Sequence, residues 1–508
     1  MTSTLDRTDL PAPGFRRPTW QEAVAGYAPR RWRTHAERHA DQLPLLLILL
    51  TLALFTLRLR NGAFIDEALY INAGQDILHG WRTGAPIPDH ASGFSGYPAA
   101  YPVFIALVDA RGGLWLARFT SLLMVVATTV LLARTTEHLF GYRAGVLAAA
   151  AFAATGPVMF LGALATFDAL TLLLLITALW LGITGTTRRS AVLAGSLLAG
   201  AVVVKYTAAA FLPAVLIAIA LAGARGWSRG VLAGVTAGGL LATAYVTLAD
   251  DAVRQGIAFT TTAREAMSPT STSFLVTSLL LDIGPIIALG VLGLVVLVAQ
   301  REGPLLGVVL LGAAALLPAA GLLLGEGVSF SKHTAYSAAF LAPVAGAGLA
   351  WLSRRTFAFG PVALILLLTL TVGALRAGAL HREWVDVTPV VAMIEADPKP
   401  GVYISSATDV LKYYTRRADL DIAWQTTFEL YARGEDVIRD AVDVGRYQMV
   451  ILRSASTTNP AQDAGQELFL DALRSSDTYR AETPFAVREY SNDRWLLFHR
   501  LPAVPGAE

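Results

Sequence analysis

Apolar runs long enough to cross a bilayer follow one another down most of this chain, and the short turns between them carry arginine. The first run covers residues 43–58, after a polar stretch with the basic cluster Arg30, Arg31, Arg33 and Arg38. No short charged opening and no small-residue cleavage site marks it as a removable signal. It therefore reads as a retained span with its basic side in the cytoplasm. Residues 59–113 are too polar to span. Within them Ile65, Leu69, Ala73 and Ile77 recur at helical spacing, which predicts a helix over 66–80 lying on the membrane surface. The segment Gly93-Phe94-Ser95-Gly96-Tyr97-Pro98 breaks it.

A second span is expected over 114–134. The next two runs, 144–187 and 190–223, are each too long for one crossing of about 20 residues. Both are basic at their flanks, through Arg143, Arg188-Arg189, Arg225 and Arg229. With both flanks cytoplasmic, each run is a hairpin, its outer tip at Thr166-Phe167-Asp168 in the first and at Lys205-Tyr206 in the second. One strongly tilted helix per run is the competing reading, and it leaves a basic flank outside.

Further spans are expected over 230–248, 275–299, 304–324, 334–352 and 357–376. A Ser/Thr-rich loop over 249–274 carries Asp250, Asp251, Arg254, Arg264 and Glu265. Arg301-Glu302-Gly303 and Arg354-Arg355 make cytoplasmic turns, and residues 326–333 an outer one. The expectation is a polytopic all-α membrane protein of about eleven transmembrane helices. From residue 377 the pattern turns water-soluble. Strand-like runs at 401–405, 447–453 and 495–499 and helix-like segments at 409–415 and 467–473 predict a small C-terminal α/β domain. The division is a cytoplasmic segment over 1–42, a transmembrane domain over 43–376 with 59–113 as its first outer loop, and an extracytoplasmic domain over 377–508.

Composition agrees. Of 508 residues, 54% are hydrophobic and 15% charged, against about 25% charge in a soluble domain. Mean hydropathy is +0.53. A net charge of +2 gives no case for a nucleic-acid partner. The absence of cysteine excludes disulfides, thiol catalysis and Cys-ligated zinc. A composition heavy in Ala, Leu, Gly and Arg suits a high-GC bacterium, and hence a bacterial plasma membrane.

The topology, argued from turn arginines alone, collects Asp66, Glu67, Asp168, Lys205, Arg264, Lys332 and His333 at outer span ends or in outer loops. Charges at membrane depth are costly, so such groups usually line a cavity or serve a function. Asp66 and Glu67 also fit the first turn of a helix, where the dipole favours acids. They point roughly 100° apart there, so one can face a reaction while the other orients a partner. Asp168 also fits a helix cap beside Thr166. Lys205, among Val202-Val203-Val204 and Thr207-Ala208, needs an anionic partner or a route to the headgroups. Lys332-His333 suit either an interface or a phosphate. His79, Asp89 and His90 match no metal-ligand spacing and read as a solvated loop.

These residues resemble the membrane-embedded GT-C glycosyltransferases of the protein O-mannosyltransferase and aminoarabinose-transferase type, over roughly 43–352. The matching pieces are Ile65-Asp66-Glu67-Ala68-Leu69-Tyr70, then Tyr97-Pro98-Ala99-Ala100-Tyr101-Pro102, and Asp168 opening the fourth span. Gly200 through Val204-Lys205-Tyr206-Thr207 and Lys332-His333-Thr334-Ala335-Tyr336 ahead of Pro343 complete the order. The resemblance implies a polyprenyl-phosphate sugar donor with its tail in a groove between spans. It implies transfer to an acceptor hydroxyl on a glycan, protein, lipid or small molecule. Asp66 looks like the catalytic base with Glu67 beside it, and Lys205 and Lys332 like phosphate contacts. Asp168, Tyr206, Arg264, His333, Tyr97 and Tyr101 look like further substrate-binding residues. One departure stands out: aminoarabinose-type relatives often carry a lysine before the paired prolines of the first loop, where this chain reads Gly96-Tyr97-Pro98. An oxocarbenium-like transition state needs a carboxylate near the nucleophile, and a phosphate leaving group needs cations rather than a general acid. No cofactor is implied, and a divalent cation is allowed but not indicated. The rival class is a transporter or flippase of lipid-linked glycans, which tends to show repeated halves and mid-bilayer charges, neither of which is visible here.

Overall fold

Continuous apolar runs of span length satisfy their backbone amides within the segment as helices. The computed structural model describes residues 42–502 apart from 223–224, 265, 267–268, 356–359, 383, 457–458 and 489–491. The predicted segment 1–41 with its arginine cluster, Glu265 and the side chain of Arg355 lie outside the described residues.

The membrane part is built from α1 (Leu43–Leu57), α2 (Ile65–Thr83), α3 (Tyr101–Phe140), α4 (Tyr142–Ala153) and α5 (Gly156–Gly162). It continues with α6 (Phe167–Thr184), α7 (Arg188–Val204), a 3₁₀ turn (Tyr206–Phe211), α8 (Leu212–Leu221) and α9 (Gly226–Leu248). The last members are α10 (Asp251–Thr260), α11 (Thr272–Gln300), α12 (Pro304–Leu324), α13 (Phe330–Arg355) and α14 (Gly360–Arg382). Among the described residues seven helices are long and apolar enough to cross a membrane, or eight if the bent pair α4–α5 counts as one span. This is a multi-pass membrane protein. A count of eleven also requires the shorter α1, α7 and the Tyr206–Leu221 unit.

Both expected hairpin tips are real breaks in the helices. The chain leaves α5 at Gly162 and re-enters helix at Phe167, and α7 stops at Val204 with Lys205 extended. Two boundaries differ from expectation. Helix α3 begins at Tyr101 and passes through non-helical Gly112 and Gly113 before the predicted span begins; Gly113 has φ of 66°, a conformation that glycine adopts without strain. Helix α13 begins at Phe330, so Lys332 and His333 lie in its first turn and not in a preceding loop, because apolar Phe330 already packs in the core.

The C-terminal region carries α15 (Thr388–Ala396) and a six-stranded sheet in the order β2-β1-β3-β6-β4, with β5 beside β6. Its strands are β1 (Gly401–Ser405), β2 (Ile422–Thr426), β3 (Met449–Arg453), β4 (Tyr479–Ala481), β5 (Phe485–Ala486) and β6 (Arg494–Arg500). The β1–β2 and β1–β3 pairs are parallel and the β6 pairings antiparallel. Between strands lie α16 (Thr408–Arg417), α17 (Thr427–Tyr431), α18 (Glu435–Asp443) and α19 (Pro460–Ser475). Strand alternation sends Ile404, Val450 and Phe498 into a core with α18 and α19. It sends Tyr403, Met449 and Leu497 to the opposite face, into one cluster with α2, α3 and α15. The sheet thus has one face on its own helices and the other on the membrane domain.

Helix α16 is the dock. Asp76 of α2 is paired with Arg416 and with Lys412 at 3.2 Å, and Asn72 donates to the Asp409 carbonyl at 2.8 Å. Tyr413 donates to Asp109 at 2.8 Å, and the Ala63 N–H donates to the Tyr414 hydroxyl at 2.8 Å.

Candidate active site

Four helix ends meet at one end of the bundle: the starts of α2, α6 and α13 and the end of α7. Each supplies a charge. Lys332 of α13 is ion-paired with Asp66 of α2, and Lys205 at the end of α7 with Asp168 of α6. The two pairs form one electrostatic unit, since Lys332 also acts on Asp168 and Asp66 on Lys205. Lys205 lies 3.3 Å from Nε2 of His333; an ammonium can only donate, so the imidazole accepts there. Tyr336, one turn on from Lys332, donates to Asp168 at 3.1 Å, and Thr166 reaches the other carboxylate oxygen at 3.3 Å. The Lys205 ammonium also stands 5.0 Å from the Phe167 ring centroid and 5.5 Å from that of Tyr336, inside cation–π range.

Lys205 is held in place by the first loop. Where α7 breaks, the Tyr97 N–H donates to Val203 O at 2.9 Å and the Tyr206 N–H to Ser95 O at 2.7 Å. Gly96 sits between these bonds, and a Cβ there would lie 2.0 Å from Val204 O, so the approach requires glycine. The aromatic floor is Tyr70 against Phe167, with centroids 4.6 Å apart and Tyr101 edge-on to both. Burial, then the negative charges of Asp66 and Asp168, push the Tyr70 phenol well above its ordinary range.

The adjacent acids part company. The Asp66 side chain is 24% exposed, with the Lys332 ammonium as its partner. Glu67 is fully buried and saturated: Arg118 grips it at 2.9 and 2.6 Å, and the N–H groups of Phe64 and Ala165 add bonds of 2.8 and 2.7 Å. Arg118 also donates to the carbonyls of Asn61 and Gly62. This clamp ties the entry of α2 to α3 and to the turn before Asp168. Against the expectation of a catalytic Glu67, its carboxylate has no oxygen open to a ligand, whereas that of Asp66 keeps a partly exposed one.

The structure thus brings Asp66, Asp168, Lys205, Lys332, His333 and Tyr101 together. Tyr97 and Tyr206 flank Lys205 through the loop, and among the described residues the Tyr206 hydroxyl is buried without a partner. Arg264 is paired with Glu326 at 3.0 Å, and its charge still reaches His333. Sequence reasoning missed Arg118, a lone arginine inside an apolar run, which was the available signal. It also missed Asp282 of α11, bonded to Arg376 of α14 at 2.6 Å and to Thr334 at 3.2 Å, which braces the first turn of α13. Among the described residues no group of three or more His, Asp or Glu is placed to hold a metal ion. His90 lies 3.2 Å from Asp76 instead.

Known proteins share this geometry's frame. A family described as dolichyl-phosphate-mannose-protein mannosyltransferase matches residues 98–248, from the first-loop prolines to the end of α9. ArnT from Cupriavidus metallidurans bound to undecaprenyl phosphate superposes with a TM-score of 0.62 at 13% identity, covering 91% of this chain and 98% of that one. The oligosaccharyltransferase of Archaeoglobus fulgidus gives 0.51 at 13% identity over 80% of this chain and 69% of the other. Arabinofuranosyltransferase AftD from Mycobacteria gives 0.51 at 15% identity, covering 91% of this chain and 40% of that longer one. No curated protein matches the sequence significantly. The fold is that of the GT-C membrane glycosyltransferases, as the resemblance implied.

Proposed function

We propose that this chain is a glycosyltransferase that moves a hexose or pentose from a polyprenyl-phosphate donor to an acceptor hydroxyl at the outer face of a bacterial plasma membrane. The observation that carries the reading is the meeting of the Asp66–Lys332 and Asp168–Lys205 pairs at helix ends on one end of an apolar bundle. Such a place offers ions to a sugar phosphate and lipid-facing helices to a polyprenyl tail. The mannosyltransferase family description and the undecaprenyl phosphate of ArnT support the same donor class. The N-terminus is then cytoplasmic and the C-terminal domain extracytoplasmic.

In this reading the acceptor oxygen attacks the anomeric carbon as the bond from that carbon to the phosphate oxygen breaks. Polyprenyl phosphate leaves, and the anomeric configuration inverts in a single displacement. Asp66 takes the acceptor's hydroxyl proton. The donor phosphate draws Lys332 from Asp66, which frees Asp66 to accept that proton, and meets Lys205 where Asp168 holds it, so that both cations face the leaving group. Asp168 and Tyr336 hold Lys205 in place. Tyr97, Tyr101, Tyr206 and His333 line the substrate, and Arg264 supplies a further cation at the rim.

The test is purified protein in nanodiscs with labelled polyprenyl-phosphate sugars and a panel of hydroxyl acceptors. Product with inverted anomeric configuration and released polyprenyl phosphate is expected. Movement of intact lipid-linked sugar across vesicles, without transfer, would establish the transporter reading instead.

A further inference from the structure

A second concentration of charge lies beyond the Glu67–Arg118 clamp, and the transfer chemistry makes no use of it. Where α1 ends, α14 ends and the β5–β6 hairpin approaches them, a cavity of about 410 Å³ opens between Arg60, Asn61, Trp384, Asp386, Thr388 and Arg488. That volume falls in the roughly 300–1,000 Å³ range of small-ligand sites.

Neither Arg60 nor Arg488 makes an ion pair among the described residues, although the Asp386 carboxylate acts on Arg488. Arg488 donates to the Arg382 carbonyl and Arg58 to the Ala374 carbonyl. Beyond the lining the Arg58 and Arg382 guanidiniums stand near one another, a Cβ at Gly378 lying 3.9 Å from the first and 3.6 Å from the second. Like charges gathered this way repel unless an anion sits among them. The described acid of the cavity is Asp386, whose carboxylate accepts from the Thr388 N–H at 3.0 Å. Glu383 and Glu489, near in sequence, lie outside the described residues.

The occupant is indicated by the surroundings. The two helices that end at the cavity carry exposed leucines, Leu50 and Leu54 on α1 and Leu368 and Leu375 on α14. Acyl chains can lie on that surface while a headgroup enters above it. We propose that this pocket binds the phosphate of an anionic phospholipid headgroup, with Arg60 and Arg488 as its charged donors. Guanidinium forks suit phosphate oxygens, which accept two parallel bonds. The bound lipid ties the first loop, α14 and the C-terminal domain to the membrane surface. This site is independent of the transfer reading.

The test uses the full chain, delipidated in detergent, with phosphatidylglycerol, phosphatidylcholine and inorganic phosphate as separate additions. Native mass spectrometry and thermal unfolding should show phosphatidylglycerol retained and stabilising, and phosphatidylcholine not. R60Q/R488Q should lose at least tenfold in phosphatidylglycerol affinity while eluting as a monodisperse peak. R60K/R488K should keep most of the affinity, which separates lost charge from lost fold. An equal shift from millimolar inorganic phosphate would assign the pocket to a soluble phosphate and overturn the lipid assignment. Equal retention by the native chain and R60Q/R488Q would overturn the site.

Discussion

Asp66 and Glu67 are neighbours in sequence and opposites in surroundings. Glu67 has a bidentate arginine and two backbone amides, with no accessible surface left; Asp66 keeps a partly exposed carboxylate and one lysine partner. The α2–α16 dock repeats the contrast. There Asp76 has Arg416, Lys412 and His90 around it, while the Asp409 carboxyl has no hydrogen bond or ion pair among the described residues. Burial would raise Asp76, but those partners hold it well below the usual carboxylate range. Burial, against weaker help from Lys412, pushes Asp409 up to about 6. Saturated carboxylates hold the fold, and unsaturated ones remain available for chemistry or cost stability. Charge and position alone do not separate them; the partner set does.

That contrast can be broken most severely at the first pair. Asp66→Asn should lower transfer by about 10²–10⁴-fold, the range of a lost general base, in protein that still elutes as a folded, monodisperse peak. Full turnover in that variant would remove Asp66 from the mechanism. Glu67→Gln should do the reverse, costing about 3–5 kcal/mol of stability by stranding the Arg118 charge, as chemical denaturation would show. Transfer per folded molecule should fall far less than in Asp66→Asn.

Lys205→Met should lower kcat/KM by about 10–100-fold, the worth of a charged hydrogen bond. The double variant D168N/K205M removes both charges of the buried pair and should fold, yet not recover transfer. Recovery would reduce Lys205 to the neutralising partner of Asp168.

The smallest effect is at the dock. A carboxyl whose folded pKa is raised loses its stability contribution as pH rises from the unfolded value near 3.9 through about 6. Asp409→Asn should therefore stabilise by about 1–3 kcal/mol above pH 6 and by little below pH 4. The partner-rich Asp76 has the opposite sign, its stability present above pH ~4 and lost on acidification. Thermal unfolding of Asp409→Asn at pH 4 and pH 8 checks the first, and an effect larger in acid would contradict it.

The helical frame was legible because lipid leaves the backbone one solution and arginine marks the turns. A break near Thr166 and another at Lys205 followed from run length and flanking charge, although Phe167 and Asp168, expected at the tip, already belong to α6. The pairing of Asp66 with Lys332 was not legible. It depends on how α2 and α13 pack, 266 residues apart in sequence. The role of Glu67 escaped for the same reason: its partner sits 51 residues on, in a span whose lone arginine was read as nothing. Strand β2 was missed because Ile422–Thr426 is edge-like, with half-buried positions and no apolar alternation.

Sidedness is the claim on which the site depends, and a chain without cysteine makes it directly measurable. Single cysteines at Gly93, in the loop that packs against Lys205, and at Thr186, in the turn after α6, can be labelled in whole cells with a membrane-impermeant maleimide. The account predicts that G93C reacts in intact cells and T186C only after permeabilisation. Labelling of T186C in intact cells with G93C protected would put the cluster on the cytoplasmic side and contradict it.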